Sequence, residues 1–390
     1  IDIAIDLGGF TSDSRTEVFA MSVAPIQISY IGYLGTMGSS YYNYLIADST
    51  IIPEKNQKFY SEKIAYLPCF QVNDSKQEIP SIFFSRRDIG LPEKGFVFCC
   101  FNNTFKITPS TFDSWSRILA KVDDSVLLIY ADNQLAERNL TNEIVKRGVN
   151  PSRLIFGERL PKSEYLARYR VADLFLDTHP YNAGTTASDA LRMGLPILTF
   201  TGRSFPSRMA SSLLNAVNLP ELIATSQEHY EDIAIELALN PSKLKIIKDK
   251  LISNLPTSEL YNTSLFTQNI ESAYTQMYER YQNELEPDHI YANPSTKWLT
   301  IVIIDDDSTS DALNGEIFPT FISYLIPSVL GLIAMTSSSL VDGIFIGNYV
   351  GINALAAVNL IIPIITLLFG VSMMMSIGGS VRGGKYLGEG

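Results

Sequence analysis

The sequence predicts an α/β fold built on doubly wound parallel sheets, followed by a C-terminal segment of different character. Three observations predict it. From Gly95 to Phe200, short apolar runs alternate with stretches of helix length. The apolar runs are nearly continuous, as in parallel strands covered on both faces. Finally, the strand Asp173-Leu-Phe-Leu-Asp177 leads directly into Pro180-Tyr-Asn-Ala-Gly-Thr-Thr-Ala-Ser-Asp189. Small residues and two hydroxyls therefore lie between a strand end and a helix expected from Ala187 to Met193. That is the crevice where doubly wound proteins hold phosphorylated ligands.

Each element has its own signal. Ile1 to Leu7 alternates like a strand already under way. Gln27 to Ile31 and Tyr44 to Ala47 are strand-like, with glycine-rich turns between them. Gly95 to Phe101 is an apolar run of strand length, followed by a helix from Ser110 to Lys121 and a strand from Ser125 to Tyr130. A helix from Gln134 to Gly148, a strand from Arg153 to Phe156, and a helix from Lys162 to Arg170 come next. After the 173–177 strand and the 187–193 helix, Pro196 to Phe200 is the last strand, and helices dominate from 207 to about 285. Gly194 and Pro196 are the expected stop signals behind the 187–193 helix.

Composition narrows the function classes. With 390 residues the chain is long enough for two or three domains. Its formal charge of −11 argues against a nucleic-acid partner, which requires a basic face. Cys69, Cys99 and Cys100 have neither metal-ligand nor disulfide-framework spacing, which points to a reducing compartment. His179, His229 and His289 form no HxxH pair, so no metal site is expected. No signal peptide opens the chain, and both ends are expected to be truncations.

Near residue 290 the character changes. Phe318 to Leu340 is a run of 23 residues without a charge, and Gly343 to Val381 is uncharged as well. Each is long enough to cross a bilayer at roughly 20 residues per span. The connecting stretch contains Asp305-Asp306-Asp307, read as a solvated acidic turn rather than a metal motif. Asp342, at the end of the first span, is open to two readings: an intramembrane ion or proton site, or an interfacial residue.

Several motifs could carry chemistry. At Asn182 to Thr186, free N–H groups and the helix dipole attract an anion, Gly184 admits a phosphate to the backbone, and Thr185 and Thr186 offer hydroxyls. A Thr-capped helix without a ligand fits the same residues. Asp189, one turn in, suits a ribose hydroxyl or simply the helix N-terminus. In Phe101-Asn-Asn-Thr-Phe-Lys106, Lys106 can neutralise a leaving group or be a solvated loop lysine. Lys162 and Arg168 either aim at the same crevice or are surface cations. The loop Ile31-Gly-Tyr-Leu-Gly-Thr-Met-Gly38 lacks the spacing of a dinucleotide fingerprint.

These motifs, in order along residues 1 to about 292, resemble the catalytic region of protein O-linked N-acetylglucosamine transferases, a group that includes the SPINDLY-type O-fucosyltransferases. The resemblance runs through Asp6 to Thr11, Arg15, Ala24 to Gln27 and Gly32 to Thr36. It continues through Tyr60 to Pro68, Phe101-Asn102, Lys106-Ile107, Pro109 to Thr111 and Arg153 to Phe156. Further matches are Pro161-Lys162, Leu176 to Thr178, Thr185-Thr186, Asp189, Gly194 to Pro196, Tyr230 to Ala234 and Pro287 to His289. It implies a GT-B-type fold of two facing Rossmann-like domains, the first truncated here. Residues 1–93 would be the end of the acceptor-side domain, and 94–292 the donor domain with its C-terminal helices. The donor would be a UDP-sugar, with N-acetylglucosamine favoured, and the acceptor a protein Ser or Thr. No cofactor is implied.

By the same resemblance, Lys106 would contact the diphosphate, with Asn103 beside it. Lys162, Arg168 and Asp189 would hold uridine or ribose, and Gly184, Thr185 and Thr186 would cap the diphosphate. Thr11, Arg15 and Gly32 match the sugar and acceptor side. The chain departs from the animal enzymes at Asn103 (Gln there), Gly184 (His there) and Leu34 (Pro there). The histidine and aspartate proposed for proton handling in that family would precede Ile1.

Residues from about 309 onward resemble the start of a multidrug and toxic compound extrusion transporter, through Leu313 to Pro319, Pro327 to Gly331, Val341 to Gly347, Ala354 to Asn359 and Gly378 to Gly384. A linker over 293–316 and two membrane helices over 317–390 are then expected, with Asp342 matching a cation-coupling aspartate. Arg382 and Lys385 would face the cytoplasm, placing residues 1–292 there too. The sequence thus offers an inverting, metal-independent glycosyltransferase fragment, with a transporter fragment or a non-catalytic UDP-binding module as alternatives.

Overall fold

The computed structural model describes residues 1–292, which belong to one compact unit. The expected linker and membrane spans, Asp305 to Asp307 and Asp342 lie outside the described residues. Among the described residues, no helix is long and apolar enough to cross a membrane.

Two parallel sheets organise the chain. The first contains β1 (Ile3–Asp6), β2 (Ile26–Ser29), β3 (Tyr44–Ala47) and β4 (Lys63–Tyr66), with α1 (Thr16–Ala20) between β1 and β2. The second contains β5 (Val97–Cys100), β6 (Val126–Tyr130), β7 (Leu154–Gly157), β8 (Leu174–Leu176), β9 (Ile197–Phe200) and β10 (Ile223–Ala224). Helices α2 (Pro109–Lys121), α3 (Gln134–Lys146), α4 (Lys162–Arg168), α5 (Thr185–Arg192), α6 (Met209–Ala216) and α7 (Gln227–Leu239) alternate with these strands. Then come α8 (Pro241–Asn254), α9 (Thr263–Gln282) and a two-residue strand, β11 (Ile290–Tyr291). The expected elements between 95 and 200 are all present. The α3 helix ends at Lys146, short of the expected Gly148, which sits at φ 74° and takes the left-handed step that ends the helix.

The second sheet has the order β10-β9-β8-β5-β6-β7. After β5 the chain moves to one side through β6 and β7, then returns to place β8 on the other side of β5. The β5–β8 border is therefore a topological switch point, and the loops leaving those two strands diverge to open a crevice. The strands are buried on both faces: Val97, Phe98, Cys99, Leu127, Ile129, Leu174 and Phe175 are fully enclosed.

The first sheet has the order β1-β2-β3-β4-β11. Two of its features depart from the sequence reading. The Tyr60–Pro68 stretch contains a strand, β4, that its apolar pattern did not announce. The C-terminal helix and strand, grouped above with residues 94–292, return to the first sheet. There β11 pairs in parallel with β4, and Ala273 and Met277 of α9 join the core around Ile28, Leu45 and Ile64. The physical reason is that the edge of β4 and the apolar face beneath the sheet need a cover, which α9 and β11 supply.

Candidate functional site

The crevice is built by the loops after β5 and β8 around one buried carboxylate. Asp177, immediately past β8, accepts hydrogen bonds at Oδ1 from the Thr178 and Ala183 amides (both 2.8 Å) and from Asn102 Nδ2 (3.2 Å). Its Oδ2 accepts from Thr199 Oγ1 at 2.7 Å. Burial pushes its pKa up to about 6, partly opposed by these donors and by nearby Lys106. Asn102 also donates to Thr178 Oγ1 (2.8 Å) and accepts from Thr186 Oγ1 (2.5 Å). One side chain thus ties the β5 loop to both the β8 loop and the start of α5.

The start of α5 differs from the Thr-capped helix that the same residues allowed. The helix begins at Thr185, two residues earlier than expected, and its N-cap is Gly184, with no side-chain cap. Thr186 turns its hydroxyl to Asn102 instead of capping. The first-turn N–H groups therefore have no side-chain acceptor and present a positive dipole end to the crevice. An alanine Cβ at Gly184 would lie 3.5 Å from Gln71 Oε1 and 3.6 Å from Met209 Cε, so this turn faces the segment between the sheets and α6.

Lys106 reaches across this turn. Its Nζ donates to the Asn182 carbonyl at 3.1 Å and sits 4.1 Å from the centre of the Tyr181 ring. It is not a freely solvated loop lysine: burial lowers its pKa, against the pull of Asp177. Asn103 is exposed at the entry of the Thr104–Lys106 turn, one residue from the buried network of Asn102.

Lys162 and Asp189 meet, with Nζ 3.1 Å from Oδ2 and the carboxylate buried. Arg168 is 3% exposed, so it is no surface cation. Its guanidinium lies 4.0 Å from the Phe101 ring centre and donates to the Glu158 carbonyl at 2.7 Å, while its Nε is buried without a partner. Gly157 makes room for it, since a Cβ there would come within 2.8 Å of Nη1. Arg168, Phe101, Asn103, Tyr130, Tyr165 and Thr186 help line a cleft of about 410 Å³, large enough for a small organic ligand.

Thr11, Arg15 and Gly32 lie apart from this group, on the loops after β1 and β2. Thr11 Oγ1 donates to the Gly8 carbonyl at 2.9 Å, and Arg15 is exposed at the start of α1. Gly32 packs on the β1 loop so closely that a Cβ would lie 2.1 Å from the Leu7 carbonyl oxygen. Among the described residues, no hydrogen bond joins these three to the β5 or β8 loops.

Sequence reasoning assigned no role to Asn102, Asp177, Tyr165 or Tyr181. The available signal was the carboxylate of Asp177 ending an otherwise apolar strand, where an enclosed charge requires donors.

The sequence profile of glycosyl transferase family 41 matches residues 1–84 and 73–270, and that of MatE matches residues 327–390. The chain is similar to the probable UDP-N-acetylglucosamine–peptide N-acetylglucosaminyltransferase SEC of Arabidopsis thaliana, 36% identical over 296 residues, covering 74% of this chain and 30% of that protein. It is also similar to the UDP-N-acetylglucosamine–peptide N-acetylglucosaminyltransferase of Caenorhabditis elegans, 26% identical over 408 residues, covering 76% of this chain and 35% of that one. A probable transferase of the same description, SPINDLY of Petunia hybrida, is 31% identical, covering 72% of this chain and 30% of its own. The chain thus spans about a third of the length of the curated relatives it matches. Among solved structures, a mutant of the Thermobaculum terrenum O-GlcNAc transferase superposes with a TM-score of 0.66 at 30% identity, covering 73% of this chain and 54% of that one. The shared architecture is an α/β, GT-B-like fold with parallel sheets.

Proposed function

The chain belongs to glycosyl transferase family 41, and on that premise we propose that the β5–β8 crevice holds the diphosphate of a UDP-sugar for transfer of N-acetylglucosamine to a protein Ser or Thr. The observation that carries this reading is the pairing of Lys106 with the uncapped start of α5 across the switch point. Both supply positive potential at one place, and both are fixed before any ligand arrives, by Asn182, Asn102 and Asp177.

In the proposed reaction, the acceptor hydroxyl forms a bond to the anomeric carbon of the sugar. The bond from that carbon to the diphosphate breaks on the opposite face, with inversion, and the hydroxyl proton is released. Negative charge grows on the departing phosphate. Lys106 and the amides of Thr185 and Thr186 stabilise it there, in a site where their dipoles need no reorganisation and no metal is called upon. The cleft beside Arg168 takes the nucleoside end. Tyr165 and Phe101 offer faces, and the partnerless Arg168 Nε offers a donor. Lys162 and Asp189 lie at its rim.

Calorimetry with UDP, set beside a transfer assay with UDP-N-acetylglucosamine and a serine peptide, tests the reading. Lys106→Ala should weaken UDP binding by about 2 kcal/mol, the worth of a hydrogen bond to a charged group, and abolish transfer. Unchanged UDP affinity would remove Lys106 from the site. Binding without transfer in the parent chain would leave a UDP-binding module.

The MatE match favours a second proposal for the C-terminal part: residues 317–390 form two membrane spans, with Asp342 at a cation site and residues 1–292 on the cytoplasmic side. The chain should then need detergent for release from membranes, and release by alkaline carbonate alone would refute it.

A further inference from the structure

A second cleft, of about 620 Å³, opens on the other side of the 203–208 loop from the Lys106 turn. The two are adjoining: the Asn182 amide donates to the Pro206 carbonyl at 3.0 Å, and Asn182 is the residue whose carbonyl holds Lys106. Its other wall comes from the first sheet, through the Tyr33–Thr36 loop and residues 55–60. The Tyr33–Thr36 wall is held firmly. Buried Glu62 accepts from the Met37 amide (2.5 Å) and from Thr36 Oγ1 (2.6 Å), pinning that loop from below.

The lining is unusual for a chain of net charge −11. Lys55, Arg203 and Arg208 face the cleft, and no Asp or Glu lines it. Lys55 and Arg203 are exposed and make no ion pair or side-chain hydrogen bond among the described residues. Arg208 donates to the Thr50 carbonyl at 3.2 Å, but its Nε is buried with no partner. Aromatic rings, among them Tyr33, Phe59 and Tyr60, lie between these cations, and Phe59 is 67% exposed. Several other surface cations are matched by a carboxylate, as in Lys243–Glu236, Lys245–Asp249 and Lys250–Glu221.

We propose that this cleft is the seat of the acceptor polypeptide and selects segments with acidic residues near the modified Ser or Thr, through Lys55 and Arg203. The inference rests on the transferase reading given above. An extended peptide suits a wide trough with aromatic faces for its backbone and side chains, and carboxylates supply the charge that the unmatched cations lack. Steering by exposed cations acts over about a Debye length, so the selectivity is greatest at low salt.

The test uses the full chain and two labelled serine peptides, identical except that Asp and Glu in one are Asn and Gln in the other. Fluorescence anisotropy should show the acidic peptide binding about fivefold more tightly, the scale expected of two exposed charge pairs. Added salt should erase the difference. The double variant Lys55→Glu, Arg203→Glu should reverse the preference while leaving the affinity for UDP, measured separately, as in the parent. Equal binding of both peptides by the parent chain, or a preference that survives in the double variant, would overturn the proposal. Because UDP binding is read independently, an acidic preference without UDP binding would count against the donor site and leave the acceptor cleft standing. Displacement of the acidic peptide by UDP alone would instead show that the cations serve the nucleotide, and would also overturn it.

Discussion

At Asp177, one enclosed carboxylate holds the two crevice loops together, and its chemistry makes stability depend on pH. Its pKa, ordinarily 3.8, is pushed up to about 6 by burial. A carboxyl raised in the folded state favours folding when protonated. Its contribution is fully present below about pH 4 and is lost as pH rises through about 6. Asp177→Asn keeps an oxygen that can accept from the Ala183 amide and removes the titration. Between pH 4 and pH 7 the parent chain should therefore lose about 3 kcal/mol of stability relative to the variant, from a shift of about two pH units. Urea unfolding of both proteins at the two pH values measures this, and a constant difference between them would contradict it. Gly32 acts at the same scale by space alone. With the Leu7 carbonyl oxygen 2.1 Å from where a Cβ would stand, only glycine lets the β1 and β2 loops close on each other.

Among elements, legibility followed burial and length. The strands β5 and β6 were readable because both faces of each are covered, so their residues form unbroken apolar runs such as Val126 to Ile129. The β4 strand was not, because its short apolar run is entered through two charged residues, Glu62 and the half-buried Lys63. The α5 start was misplaced by two residues for a tertiary reason. Threonines at a helix entry normally signal a cap, but Thr186 gives its hydroxyl to Asn102, 84 positions away in sequence. The candidate site followed the same division. The sequence could place Lys106 in the loop after one strand and Thr185 near a helix start, residue types that suit an anion. It could not show that Arg168 is enclosed against Phe101, nor that Asn102, rather than exposed Asn103, joins the buried network. For α9, the spacing of Asn269, Ala273 and Met277 marks a buried face but does not identify the sheet it covers.

In the whole molecule, that last point decides how the two sheets depend on each other. Contacts between them are carried by α6 and by the C-terminal return. Ser212 of α6 donates to buried Asp48 at the end of β3, Asn215 Nδ2 donates to Thr50 Oγ1 at 2.9 Å, and Phe205 and Met209 enter the first core. From the other end of the chain, α9 buries Ala273 and Met277 against that core, β11 covers the edge of β4, and His289 Nδ1 accepts from the Ile64 amide at 2.9 Å. The first sheet therefore depends on residues more than two hundred positions away, whereas the second sheet is complete by Ala224. A chain ending at Asn262 should keep the second sheet folded and lose the first. Hydrogen exchange should then show Val97 to Ile129 protected as in the parent, with Ile26 to Ala47 exchanging freely. Met277→Ala in the intact chain should act in the same direction. It should lower the protection of the first sheet alone by about 2–5 kcal/mol, the cost of emptying a buried methionine site. Full protection of β2 and β3 in the shortened chain would mean that α6 alone holds the first sheet, and that α9 and β11 merely lie on it.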